Sequence, residues 1–363
     1  MSDSRSPWPL PERPSLDQLR KQAKELRATE RHATLAAAQL ALARHYGYAS
    51  WTKLKLAVEL TQLRAAIEGG DNAGVRALLA ANPKLARGPF ADGSTPLHLA
   101  AERNDSEMIE LLVQHGGRLD QRYAQSNHTA LSWALTTEAF DAARKLVELG
   151  SEPDLFCAAG LGDLVRVKRF WTDDGQLHGS PSRTGSSRTT ESGERLPSPP
   201  REAADQISDA LYIAARLGHV DVSRWLLDHG ADPNWRGYCG ATCLAWAEFS
   251  GNTEVCALLR ERGASSDVTD FEFGATPRVF PVMVFASWGF ARRLAERLTA
   301  DPSLVQARAR VGTVLHVAAE SGHVDCVRVL LALRADPSAI DASGQTPAER
   351  AAAKGHHEIA SML

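Results

Sequence analysis

The sequence predicts an all-α solenoid, a helix–turn–helix unit stacked along the chain with short β-hairpin turns between copies and an N-terminal helical segment in front. Three observations predict it. The stretch Gly93-Ser94-Thr95-Pro96-Leu97-His98-Leu99-Ala100-Ala101 reads as a tight turn, a capped helix start with Pro in the first turn, and a helix with small packing residues. The pattern returns at Thr129, Thr242, Thr313 and Thr346, the last two 33 residues apart. Hydrophobic residues make up 44% of the chain and aromatics only 6%, a balance that suits alanine- and leucine-rich helices. One such unit cannot bury its apolar face, whereas stacked neighbours can.

Composition narrows the class of function. A net charge of −3 over 363 residues gives no global field for nucleic acid or membrane. The five cysteines (Cys157, Cys239, Cys243, Cys256, Cys326) include no C-x-x-C, so free thiols in a cytoplasmic protein are expected. The first residues lead into no apolar run, so no signal peptide is expected. The longest apolar stretch, Val279 to Trp288, is too short for a membrane span and is broken by Pro281.

Residues 1–58 form the N-terminal helical segment. Ser15 starts a helix with Leu16, Leu19, Ala23 and Leu26 on one face and Arg20, Lys21, Lys24 and Arg27 on the other. A second helix runs from Thr34 to Arg44, and a third starts at Ser50-Trp51. The basic face is a solvated surface first, and a patch for an acidic partner or nucleic acid only as the less favoured reading. Residues 59–172 hold repeats one to four. The first is degenerate, with helices Leu63 to Ile67 and Val75 to Leu79. Residues 173–204 are rich in Ser, Pro, Gly, Thr and Arg, and too poor in apolar side chains to offset the entropy of ordering; a disordered insertion or linker is expected. Residues 205–363 hold repeats five to nine. Asp209-Ala210-Leu211-Tyr212 keeps the spacing without the Thr. In repeat seven Arg278 replaces the core Leu, and the inner helix is expected to begin near Pro281.

These copies, with Gly218-His219-Val220, Gly230-Ala231-Asp232-Pro233-Asn234 and Gly322-His323-Val324, resemble the ankyrin-repeat family. The stretches Leu10 to Leu16 and Tyr46 to Lys55 look like the leader that precedes ankyrin repeats in some bacterial proteins, which points to a bacterial source. The resemblance implies that a protein partner binds the hairpin tips and the concave groove of the inner helices. It also implies that His98 and His316 hydrogen-bond between repeats, and that His219, His323 and His356 are loop residues.

Helical spacing places motif positions two, five and nine toward the groove. The binding candidates are therefore Leu99, Arg103, Trp133, Ile213, Trp246 and Val317, joined by Phe285 and Trp288 of the irregular repeat. Trp133 and Trp246 are either exposed binding residues or packed structural ones. Glu248 stands where a small Ala belongs and calls for a partner, with Arg216 or Arg278 the candidates one repeat either way. The sequence carries no phosphate-binding loop, no nucleophile elbow and no zinc-ligand spacing, so no catalytic residue, metal or cofactor is assigned. The leading expectation is a scaffold that binds a protein. The alternative is an enzyme or small-hydrophobic-ligand binder with an apolar pocket in repeats five to eight, in which Glu248 and Arg278 would be the catalytic pair. A closed pocket lined by Trp246, Glu248, Arg278 and Trp288 would favour that alternative.

Overall fold

The computed structural model describes residues 8, 10–11, 14–29, 34–123, 127–186, 196–237, 240–266, 273–276 and 278–363. Cys239, Pro277 and residues 187–195 of the Ser-rich span lie outside the described residues. The chain forms two compact units, one of residues 1–161 with 181–185, the other of 162–180 with 186–363. Among the described residues, no helix is long and apolar enough to cross a membrane.

The first unit opens with α1 (Leu16–Thr29) and α2 (Leu35–His45). Ser15 and Thr34 cap them by accepting from the amides of Gln18 (3.4 Å) and Ala37 (3.1 Å). Leu19, Ala23, Leu42 and Ala43 are buried together with Leu54 and Val58. On the basic face of α1, Arg20 pairs with Asp17 at 2.8 Å and Lys21 lies 4.0 Å from Glu25, all four exposed, so the patch is partly neutralised by its own helix.

The expected third helix of the leader and the first inner helix are one element, α3 (Trp51–Glu68). No Gly or Pro interrupts these 18 residues, and Leu54, Val58, Leu63 and Ile67 hold one buried stripe throughout. Helix pairs follow: α4 (Asn72–Ala81) returns against α3, then α5 (Pro96–Glu102) with α6 (Ser106–Gln114), α7 (Ala130–Thr136) with α8 (Phe140–Glu148), and α9 (Leu155–Gly160). Inner helices α3, α5, α7 and α9 pack in sequence, as do outer helices α6 and α8. Thr95, Thr129 and Asp154 cap the inner helices, and Asp71 and Asp105 cap α4 and α6.

The second unit contains α10 (Leu164–Lys168), then α11 (Ala203–Leu217) with α12 (Val220–Asp228), α13 (Cys243–Ser250) with α14 (Thr253–Glu261), α15 (Phe280–Trp288) with α16 (Ala291–Ala300), α17 (Val314–Glu320) with α18 (Val324–Ala332), and α19 (Pro347–Ala353) with α20 (His357–Met362). Strands β1 (Arg308–Ala309) and β2 (Gly312–Thr313) form a two-residue hairpin. Pro281 sits in the first turn of α15, where its missing amide hydrogen costs nothing. Helix α11 starts six residues before Asp209, because nothing between Ala203 and Asp209 breaks a helix. Asp209 is therefore a buried mid-helix residue.

Residues 173–186 are held by polar contacts where composition favours disorder. The Asp154 carboxylate accepts from the Arg183 and Thr184 amides (2.9 and 2.8 Å) and from the Thr184 hydroxyl, all within the first unit. In the second unit, Asp209 accepts from the Ser186 amide (3.0 Å) and hydroxyl (2.6 Å). The side chains of Thr184 and Ser186 are buried. Hydrogen bonds to carboxylates supply what a short polar segment cannot gain from apolar burial.

Candidate functional site

The framework residues are satisfied internally. The Thr95 hydroxyl donates to His98 Nδ1 (2.8 Å), and His98 Nε2 donates to the His128 carbonyl (2.9 Å), tying α5 to the hairpin before α7. His316 repeats this arrangement, Nδ1 accepting from Thr313 (2.7 Å from the hydroxyl) and Nε2 donating to the Gln345 carbonyl (3.0 Å). Burial lowers the pKa of both rings, so they are neutral at pH 7. The loop histidines are structural as well. A Cβ on Gly289 would meet the ring of His323 at 2.7 Å, and one on Gly322 the ring of His356 at 2.6 Å. Both glycines have positive φ, so no other residue fits either the conformation or the space.

His128 lies deeper than either. Burial is the main cause that pushes its pKa down to about 3, and the nearby His98 and Arg122 add to it. Its Nδ1 faces the Ser132 hydroxyl at 3.1 Å. The unfolded chain binds a proton here below pH ~6.5 and the folded one does not, so the group's contribution to stability falls as pH drops through 6.5 toward 3. Between pH 7 and 5 the wild type should lose about 2 kcal/mol more stability than His128→Asn, measured by urea unfolding at each pH. Equal losses would show that His128 is protonated in the folded state.

The sequence-derived binding residues divide between the two units. In the first, Arg103 is exposed at the end of α5, Leu99 is partly exposed, and Trp133 is half-buried on α7. Trp133 Nε1 donates to Glu102 at 3.2 Å, and its ring meets Tyr123 edge-on at 5.7 Å and His128 at 5.6 Å. Glu102 and Tyr123 were not among the expected residues. Their signal is positional, Glu102 following the Ala-Ala pair and Tyr123 preceding Thr129 by six. Leu99, Glu102, Arg103 and Trp133 thus present an apolar, acidic, basic and aromatic group on successive inner helices.

In the second unit Ile213, Arg216, Trp246, Phe285 and Val317 are buried and only Trp288 is half-exposed. Trp246 is completely buried. Its ring packs on Tyr212, Phe249 and Phe280 and stacks on Trp288 at 6.2 Å. The Arg216 guanidinium lies 4.6 Å from the Trp246 ring and 5.0 Å from that of Trp288. Helices α13 and α15 therefore meet through aromatic rings. Arg293, also absent from the expected set, covers Phe249 and Phe285 at 5.6 and 5.2 Å.

Glu248 and Arg278 have separate partners. Glu248 pairs with Arg260 of its own repeat and accepts from the Ser266 hydroxyl, not with Arg216 or Arg278, because its place on the last turn of α13 points it at α14. Arg278 is exposed and pairs with Asp301 at 2.7 Å and Ser303 at 2.6 Å. Hydrogen bonds from Ser303 and then Arg278 lower the Asp301 pKa. A cavity of about 150 Å³ is lined by Glu248, Phe249, Phe280, Phe285 and Arg297, but not by Trp246, Arg278 or Trp288. The pocket that would have favoured an enzyme is not assembled from its four expected residues.

The buried cysteines Cys157, Cys243 and Cys326 have thiols pushed up by burial, Cys326 to about 12, which suits packing residues rather than nucleophiles. Among the described residues, no group of three or more His, Cys, Asp or Glu could hold a metal ion.

Family models described as ankyrin repeats match residues 63–157 and 197–270, and a second such model matches 315–363. The chain is 31% identical over 157 residues to the E3 ubiquitin-protein ligase XBAT33 of Arabidopsis thaliana, covering 37% of this chain and 31% of that protein. It is 26% identical over 315 residues to the E3 ubiquitin-protein ligase KEG of the same plant, covering 83% of this chain and 16% of the other. It is 30% identical over 192 residues to the palmitoyltransferase ZDHHC17 of Danio rerio, covering 53% and 29%. The chain thus spans less than a third of each of these relatives.

Proposed function

Because the chain belongs to the ankyrin-repeat family, we propose that it is a scaffold that binds a protein partner through its inner-helix face, centred in the first unit on Leu99, Glu102, Arg103 and Trp133. The observation that carries this reading is the division of labour within the repeats. Framework histidines and caps are satisfied among themselves, and in the first unit the chemically varied side chains at the variable positions, Leu99, Arg103 and Trp133, stand wholly or partly at the surface. A half-buried Trp beside an exposed Arg is the kind of anchor that dominates protein interfaces. A cytoplasmic location suits the free thiols. The leader-like N-terminal helices favour a bacterial source, although the relatives named above are plant and animal proteins. A small hydrophobic ligand is the second reading, supported by the aromatic lining of the 150 Å³ cavity.

The test places a photo-crosslinking amino acid at Arg103 or Thr137, with exposed Arg292 of α16 as control. The expected result is one protein captured from both inner-helix positions and not from the control. Trp133→Ala should weaken its binding at least about tenfold, as expected for a hot-spot residue. Capture from the control alone, or no protein at either position, would rule the surface out.

A further inference from the structure

The cavity of about 150 Å³ in the second unit lies at an irregular junction between repeats six and seven. Inner helices α11 and α13, α15 and α17, and α17 and α19 pack closely on one another, whereas α13 and α15 approach far less closely. The outer helices follow suit: α12 packs on α14 and α16 on α18, and α14 and α16 approach far less closely. Both helix layers therefore part at the same place. Phe249 and Phe285 reach across it from α13 and α15, with ring centroids 4.6 Å apart.

A substitution within the repeat is an independent observation. Ala245 stands three residues after the capping Thr242, the place that His98 and His316 take after Thr95 and Thr313. Those two imidazoles each reach a carbonyl of the next hairpin. Ala245 has no ring to do so, and it lines the cavity together with Phe249, Phe280 and Phe285. The cavity thus falls where the second and eighth repeats place a ring. An apolar cavity of this volume takes up one benzene ring. The wall also carries Glu248, Ser266 and Arg297. Among the described lining residues there is one carboxylate and one guanidinium, so charge selects neither an anion nor a cation.

We propose that this cavity binds a small neutral phenol, its ring filling the space beside Ala245 among Phe249, Phe280 and Phe285 and its hydroxyl donating to the Glu248 carboxylate. The inference rests on the small-ligand reading of the cavity and names the ligand's class. Aromatic rings pack favourably edge to face and offset on one another. The carboxylate accepts from Arg260 and Ser266 and keeps lone pairs for a third donor. The bound ring would join α13 to α15 where the repeat's own ring is absent, so occupancy stiffens the junction.

The experiment titrates the isotope-labelled full chain with phenol, toluene and N-acetyl-tyrosine amide, following backbone amide shifts and then hydrogen exchange. Phenol should saturate with shifts centred on residues 245–249 and 280–285 and should slow exchange in α15. Ala245→Leu fills the cavity and should weaken phenol at least about tenfold. Glu248→Met removes the acceptor and should weaken phenol about fivefold without weakening toluene. Native amide spectra of the two variants separate lost binding from lost structure, and if Ala245→Leu does not fold, Glu248→Met decides alone. The tyrosine amide should bind more weakly than phenol, because a cavity for one ring has no room for its backbone. Tighter binding of the amide would assign the site to a partner's tyrosine and overturn the proposal. If toluene matched phenol and Glu248→Met changed neither, the small-ligand reading would stand and the phenol would be wrong. Saturable binding of none of the three would overturn both.

Discussion

Trp246→Ala should destabilise the second unit by about 4 kcal/mol, measured by urea unfolding. The side chain is completely buried, and its removal leaves a cavity bounded by Tyr212, Phe249, Phe280 and Trp288. These rings belong to three successive inner helices and cannot all collapse into the gap. The variant also leaves the Arg216 guanidinium, itself fully buried, without one of the two faces it rests on. A buried charge that loses a favourable contact adds to the cavity term. Trp246→Phe keeps most of the volume and should cost about 1–2 kcal/mol. Trp133→Ala provides the contrast. That side chain is half-exposed with a single hydrogen bond to an exposed carboxylate, so about 1 kcal/mol is expected. Two tryptophans at the same repeat position would then have opposite roles, one holding the fold and the other free to bind. If Trp246→Ala cost as little as Trp133→Ala, the aromatic contact between α13 and α15 would not be what joins them.

Asp154→Ala should cost the first unit about 3 kcal/mol and release residues 181–185, read as fast amide exchange at Arg183 and Thr184. One carboxylate oxygen caps α9 through the Cys157 amide at 3.0 Å, and a lost cap alone is worth about 1 kcal/mol. The other oxygen holds two backbone amides and a hydroxyl of a segment that buries little apolar surface. Asp154→Asn keeps one acceptor oxygen, so it can cap α9 or hold the segment but not both. About half the loss should return. If Asp154→Ala left exchange at residues 183–184 slow, the Arg122 and Asn127 contacts to the Arg183 carbonyl would be sufficient to hold it.

Much of the fold was legible in the sequence because the repeat is a local device. A Thr cap, a Pro in the first turn, a small-residue helix and a Gly loop each act within a few residues, and their recurrence multiplies the signal. The start of α15 at Phe280 followed from Pro281 alone. The sequence was less informative wherever a partner comes from far along the chain. Continuous α3 and the early start of α11 needed only the absence of a breaker, yet the repeat pattern suggested a boundary in each. The polar segment 173–186 looked unable to order itself because its stabilising acceptors, Asp154 and Asp209, lie up to about 30 residues away in sequence. The candidate site was legible in residue type and not in exposure. Helical spacing places Trp133 and Trp246 alike, and only the neighbouring helices decide that Phe280 and Trp288 cover the second.

By itself, then, the sequence determined the all-α repeat architecture, the capped helix starts and the structural assignment of His98 and His316, since each depends on residues close in the chain or one repeat away. Only the tertiary structure decided that Glu248 pairs with Arg260, that Arg278 turns to Asp301, that Trp246 is sealed beneath aromatic neighbours, and that Ala245, Phe249, Phe280 and Phe285 meet around one cavity. Spacing along a helix fixes the direction in which a side chain leaves the backbone. What it meets there depends on the size and charge of residues on other helices, and a single repeat's pattern does not carry that information.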